Sequence, residues 1–213
     1  MTSPLPGVLL VAFALGVAGC HALGARAGAR PGSPASTAPT AVREETEMAG
    51  GGVKSPRLAA LAEEYWRDHL AARPIDATLL GIPGFDDRMP DESPRGRAHE
   101  KETLLSLRER LRATVAPADL NAIDTVTRGL LAEQLDADLA YADCHLEDWA
   151  VDPRDGPQVS YLDLAALQPV RTPADRQALV ARWRAMSGTL DQITDNLLRG
   201  LAAGKVSARS EVE

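Results

Sequence analysis

The sequence predicts an all-α protein, and three observations carry that expectation. Apolar residues recur with a 3.6-residue period over four long stretches. Ser-Pro or Thr-Pro pairs stand at the starts of three helical segments. No stretch alternates strongly enough to specify a strand; the most strand-like piece is Asp148-Trp149-Ala150-Val151-Asp152-Pro153. Aromatics make up only 4% of the chain, so the expected core is Leu, Val and Ala between closely packed helices. Long helices with short joints are expected to lie antiparallel, linked by structured Pro/Gly/Asp-rich connections.

Each element has its own signal. Ser55-Pro56 places an N-cap residue before a Pro at the first helical position, and Leu58, Leu61, Ala62, Tyr65 and His69 or Leu70 follow as one stripe. Ser93-Pro94 repeats the device ahead of Leu104, Leu107, Leu111 and Val115. Pro117 is read as opening a third helix, with Leu120, Ile123, Val126, Leu130, Leu131, Leu135 and Leu139 on one side. Thr172-Pro173 begins a fourth, with Leu179, Val180, Trp183, Met186, Leu190, Ile193, Leu197 and Leu201, which stops near Gly204. Gly188 inside it costs about 1 kcal/mol relative to Ala.

Residues 1–19 read as a lipoprotein signal peptide. The apolar run from Gly7 to Ala18 is too short to span a bilayer as a mature helix. It ends in small residues, and Val17-Ala18-Gly19-Cys20 resembles the bacterial lipobox, which makes Cys20 the expected lipid attachment site. No Lys or Arg precedes the run, so its n-region carries only the terminal amine. Residues 20–54 are dominated by Ala, Gly, Pro, Ser and Thr and read as a flexible tether with a reach of roughly 30 Å. The expected location is the bacterial cell envelope, lipid-anchored and facing the periplasm or exterior. With Cys20 acylated, Cys144 has no intramolecular disulfide partner.

The remaining 55–213 form the helical body. A chain of 213 residues with a formal charge of -7 supports one sizeable domain and carries no basic stripe for nucleic acid. Ser210-Glu211-Val212-Glu213 has capping-box spacing at the point where a helix body should start, and this predicts the front part of a longer protein.

Three places bear on chemistry. His99-Glu100-Lys101-Glu102-Thr103 begins like the zinc helix H-E-x-x-H, but Thr103 stands where the second His is needed. It reads as a charged first turn. Cys144-His145, with Glu147 and Asp148 nearby, reads as a polar helix end; adjacent helical residues point about 100° apart, so adjacency forms no thiolate–imidazole pair. The loop Asp86-Asp87 to Asp91-Glu92 lacks calcium-loop spacing and reads as a structured connection. No catalytic or metal residue is assigned, and His69, His99 and His145 assemble a metal site only if folding brings them together.

These loops carry a family resemblance. Arg73-Pro74-Ile75-Asp76-Ala77-Thr78-Leu79-Leu80-Gly81 and Phe85-Asp86-Asp87-Arg88-Met89-Pro90-Asp91-Glu92-Ser93 resemble the opening signature of the bacterial domain of unknown function 885 family. Trp149–Pro153, Gly156-Pro157-Gln158, Trp183–Met186, Leu190–Ile193, Leu197–Gly200 and Gly204–Val206 follow in the family's order. The resemblance implies a lipoprotein similar to helical zinc metallopeptidases, with the zinc ligands in a C-terminal half that this chain lacks. No cofactor is therefore expected in this chain; zinc, and a peptide substrate, belong to the full-length form. The leading expectation is a membrane-tethered N-terminal fragment, inactive alone, that needs the missing half or a protein partner. The alternative is a short non-catalytic helical lipoprotein acting as a binding or scaffolding module.

Overall fold

The computed structural model describes residues 52–207 apart from Asp155. The signal peptide, Cys20 and all of the tether before Gly52 lie outside the described residues, as does Ser210–Glu213. The described residues are all-α, with no strand among them. Their helices are α1 (Pro56–Ala72), α2 (Pro74–Leu79), α3 (Pro94–Thr114), α4 (Ala122–Asp143), α5 (Pro157–Leu167) and α6 (Pro173–Ala202). Short 3-10 turns occupy Pro117–Asp119 and Leu146–Asp148.

The three Ser/Thr-Pro signals act as read. The Ser55 and Ser93 side chains accept from Leu58 N and Gly96 N, each three residues into its helix. Thr172 forms a full capping box with Asp175. One start differs from the expectation. Pro117 begins only a 3-10 turn, and α4 starts at Ala122 because Asn121 Oδ1 accepts from the amides of Ile123 and Asp124. Periodicity does not mark α2, which has six residues, or α5, whose apolar Val159, Tyr161, Leu162, Leu164 and Leu167 lie all around the helix.

Helices α1, α3 and α4 make a three-helix bundle. Leu58, Leu61, Ala62 and Tyr65 meet Leu104, Leu107, Leu111 and Val115, and Leu131, Leu135 and Leu139 close the core. Each buried Leu contributes roughly 1.5–3 kcal/mol. The pairs Arg110–Glu64 and Arg73–Glu100 show that α3 runs antiparallel to α1. Arg108–Asp136 and Lys101–Asp143 show the same for α3 and α4. The α4 stripe divides: Leu131, Leu135 and Leu139 are buried, whereas Ile123, Val126 and Leu130 face outward.

A carboxylate ties the entry of α1 to the start of α4. Asp124 is buried, and its two oxygens accept from Lys54 N and Ser55 N at 2.9 Å each. Asp124→Ala leaves two amides without their acceptor, so urea unfolding should show a loss of about 1–3 kcal/mol. Asp124→Asn, which keeps one acceptor oxygen, should lose less.

Candidate functional site

The site is built around α6, which is held by polar side chains. Between Ile82 and Ser93 the chain has no regular structure, so its carbonyls need donors from elsewhere. Helix α6 supplies them from one ridge. Arg182 is fully buried and uses all five guanidinium donors. Its Nε donates to Arg88 O at 3.0 Å, and Nη1 to Thr78 Oγ1 and Gln168 Oε1 at 2.8 and 3.0 Å. Its Nη2 donates to Pro74 O and Phe85 O at 3.2 and 2.6 Å. Asp86 Oδ1 stands 3.9 Å away and accepts from Thr78 Oγ1.

The ridge continues down the helix. Thr189 Oγ1 donates to Pro90 O, Gln192 Oε1 accepts from Glu92 N, and Asn196 Nδ2 donates to Glu92 O. At its end Gly200 lies so close to the Asp148 carbonyl that a Cβ there would overlap the oxygen. Asp148 is buried, with Oδ1 held by Arg199 at 2.7 Å and Oδ2 by Lys205 at 2.9 Å.

This arrangement corrects the reading of α6. The expected apolar stripe exists, but the buried face is the neighbouring ridge of Arg182, Thr189, Asn196 and Gly200. At 100° per residue the stripe is centred roughly 80° around the helix from that ridge. Leu179, Met186, Ile193 and Leu197 are partly buried along its inner edge. Trp183, Leu190 and Leu201 are 48%, 38% and 60% exposed, with Val180 and Leu198 beside them. One side of α6 therefore carries exposed apolar side chains.

A polar cleft of about 350 Å³ opens between the bundle and the Leu146–Asp148 turn. Arg73, Arg97, Lys101 and Arg199 line it together with Glu100, Asp138, Glu147 and Asp148. Its charges answer one another. Arg73 pairs with Glu100 at 2.8 Å, Arg97 with Glu92, and Lys101 with Asp143 at 2.5 Å. Asp138 accepts from Tyr65 and Gln134. Burial works against the Arg97 charge, but Glu92, Glu147 and Glu100 together outweigh it and raise its pKa. Burial, and then Asp138, push the Tyr65 hydroxyl well above its ordinary value. These contacts tie α1, α3 and α4 together.

The candidate ligands named from sequence do not converge. His69 stacks on Trp66 with its Nδ1 against Arg73 Nη1; burial first, then Arg73, lower its pKa. His99 is exposed on α3, and its carbonyl accepts from Thr103. His145 adopts φ 48 and meets Glu147 at 3.1 Å, while the adjacent Asp148 is already held by two cations. Cys144 donates to Ala140 O at the end of α4. Among the described residues no group of three or more His, Cys, Asp or Glu is placed to hold a metal, and these side chains do not fit a zinc ion. Asp86 and Asp87 belong to the connection braced by Arg182, as read.

The family assignment rests on a direct match. The model for "Bacterial protein of unknown function (DUF885)" matches residues 74–213, more than half of the chain. The chain belongs to the DUF885 family. The DUF885 match begins at Pro74 in α2 and contains Arg182 with all of its partners, whereas α1 precedes it. No curated protein and no solved structure matches the chain.

The Asp148 cluster gives this DUF885 chain a defined acid response. The Lys205 hydrogen bond, against opposing burial and with help from Arg199, lowers the Asp148 pKa. A carboxylate depressed on folding stabilises fully above its unfolded pKa, and that contribution is lost as pH falls through the folded value. Thermal melts should therefore drop on acidification below about pH 4. Asp148→Asn should melt lower at neutral pH and show a flatter acid limb.

Proposed function

We propose that this chain is the non-catalytic helical module of a DUF885 lipoprotein. Lipid at Cys20 tethers it in the bacterial cell envelope, facing the periplasm or exterior. The module docks onto another protein surface through α6. The zinc-metallopeptidase chemistry implied by the family resemblance belongs to the complete protein, where a peptide would meet the joined surfaces. The observation that carries this reading is the apolar stripe of α6, with Trp183 and Leu190 exposed on a helix whose neighbouring ridge is fixed by Arg182. No described helix is long and apolar enough to cross a membrane.

Two readouts test it. The full chain, loaded with zinc and desalted, should retain no stoichiometric metal and should not cleave a peptide library; one bound zinc with hydrolysis would overturn the non-catalytic assignment. Cys20→Ala should move the protein from the membrane to the soluble fraction. Retention of that variant in membranes would remove the tether from the account.

A further inference from the structure

The N-terminal end of α4 carries an apolar face that the described chain leaves exposed. Ile123, Val126 and Leu130 are 62%, 61% and 56% exposed. Their spacing of three and four puts them on one side of the helix, roughly 150° around it from the buried Leu131, Leu135 and Leu139. The chain leading into this face is poor in charge. Over residues 115–127 only Asp119 and Asp124 ionise, and Asp124 is buried against the Lys54 and Ser55 amides. Those two bonds also fix the entry of α1 beside the start of α4, so the tether from Cys20 joins the body at this same end.

From this placement we infer that Ile123, Val126 and Leu130, with Lys54 and Arg57, rest on the surface of an anionic phospholipid bilayer. The proposal rests on the lipid attachment at Cys20 and adds a second contact to it. The first argument for this occupant is where the outside chain arrives. Residues 20–54, with a reach of roughly 30 Å, end at Lys54 and Ser55, so the bilayer that holds Cys20 lies within reach of this face.

The second argument is charge. The chain carries a formal charge of -7, yet this end is not acidic. Among residues 52–60 and 112–130 the exposed cations are Lys54, Arg57 and Arg112, which stands 3.7 Å from Asp136; the exposed carboxylate there is Asp119. An aliphatic wedge flanked by cations suits an acidic headgroup layer, with the side chains entering among the upper acyl carbons. So few side chains hold a free body only weakly, which is why Cys20→Ala still leaves the membrane. On a tether the effective concentration rises to about millimolar, and the same contact becomes populated.

Nitroxide depth measurement tests this on the acylated full chain in vesicles of phosphatidylethanolamine and phosphatidylglycerol. Cys144→Ser removes the exposed thiol, and the label is placed by Val126→Cys or, as a control beyond the far end of α1, by Leu80→Cys. The label at 126 should favour dissolved oxygen over an aqueous nickel chelate at least severalfold more than the label at 80. Lys54→Glu with Arg57→Glu, or replacement of phosphatidylglycerol by phosphatidylcholine, should return the 126 label to water while the chain stays vesicle-bound. If the chain floats with the vesicles but its 126 label is as open to the chelate as the label at 80, the contact is overturned and the tether stands. A chain that does not float with the vesicles would overturn both. A 126 label shielded from oxygen and chelate alike would report protein over this face and overturn the bilayer as its occupant. A lipid-embedded label indifferent to both charge changes would overturn the anionic surface.

Discussion

Arg182→Met is expected to cost about 3–5 kcal/mol of folding stability, the largest effect of any single substitution outside the bundle core. The guanidinium is fully buried and makes five hydrogen bonds, three of them to the carbonyls of Pro74, Phe85 and Arg88. Methionine fills part of the volume but donates nothing, so these oxygens are left desolvated together with Thr78 Oγ1 and Gln168 Oε1. Lysine fares little better, because a single ammonium cannot reproduce a planar fork that reaches five acceptors. The loss should be read by urea unfolding, with α1, α3 and α4 reporting less than α6 in hydrogen exchange. A loss below about 1 kcal/mol would mean that the 74–88 segment is held by something other than this arginine.

Two glycines on the same helix should respond in opposite directions. At Gly200 an added methyl group would overlap the backbone oxygen of Asp148, and neither element can yield without separating α6 from the Leu146–Asp148 turn. Gly200→Ala should therefore destabilise by about 3 kcal/mol. It should also weaken the Arg199 and Lys205 bonds to Asp148 and so flatten the acid response. At Gly188 nothing lies within 4 Å of an added Cβ. Gly188→Ala should stabilise by up to about 1 kcal/mol, since only the helix propensity changes. Equal effects at the two sites, read by thermal melts, would contradict the close approach at Gly200.

The bundle was legible because its signals are local. Ser55, Ser93 and Thr172 each declare a helix start through a hydroxyl three residues before an open amide, and all three act as caps. Leu58, Leu61, Leu104, Leu107, Leu111, Leu131, Leu135 and Leu139 then bury as their period requires. The docking of α6 was not legible in the same way. Periodicity reports which residues share a face, but a heptad stripe has the same pattern whether it packs within the chain or waits for another helix. What decides between them is the non-local demand of the Ile82–Ser93 carbonyls for donors, which Arg182, Thr189 and Asn196 meet across about a hundred residues of sequence. The clue was present: Arg182, Thr189 and Asn196 repeat at seven residues beside the apolar stripe, and Gly200 follows four later. At the polar cleft, sequence gave the charged residues but not their pairing, since Arg73–Glu100 and Lys101–Asp143 join separate helices.

Hydroxyl-radical footprinting of the full chain in dilute solution, read residue by residue by mass spectrometry, tests most directly whether α6 turns its apolar stripe outward. In dilute protein Trp183 and Leu190 should oxidise readily, whereas Leu135 and Leu164, both buried, stay protected. Protection of Trp183 and Leu190 in dilute protein would contradict the account, because the stripe would then be covered within a single chain.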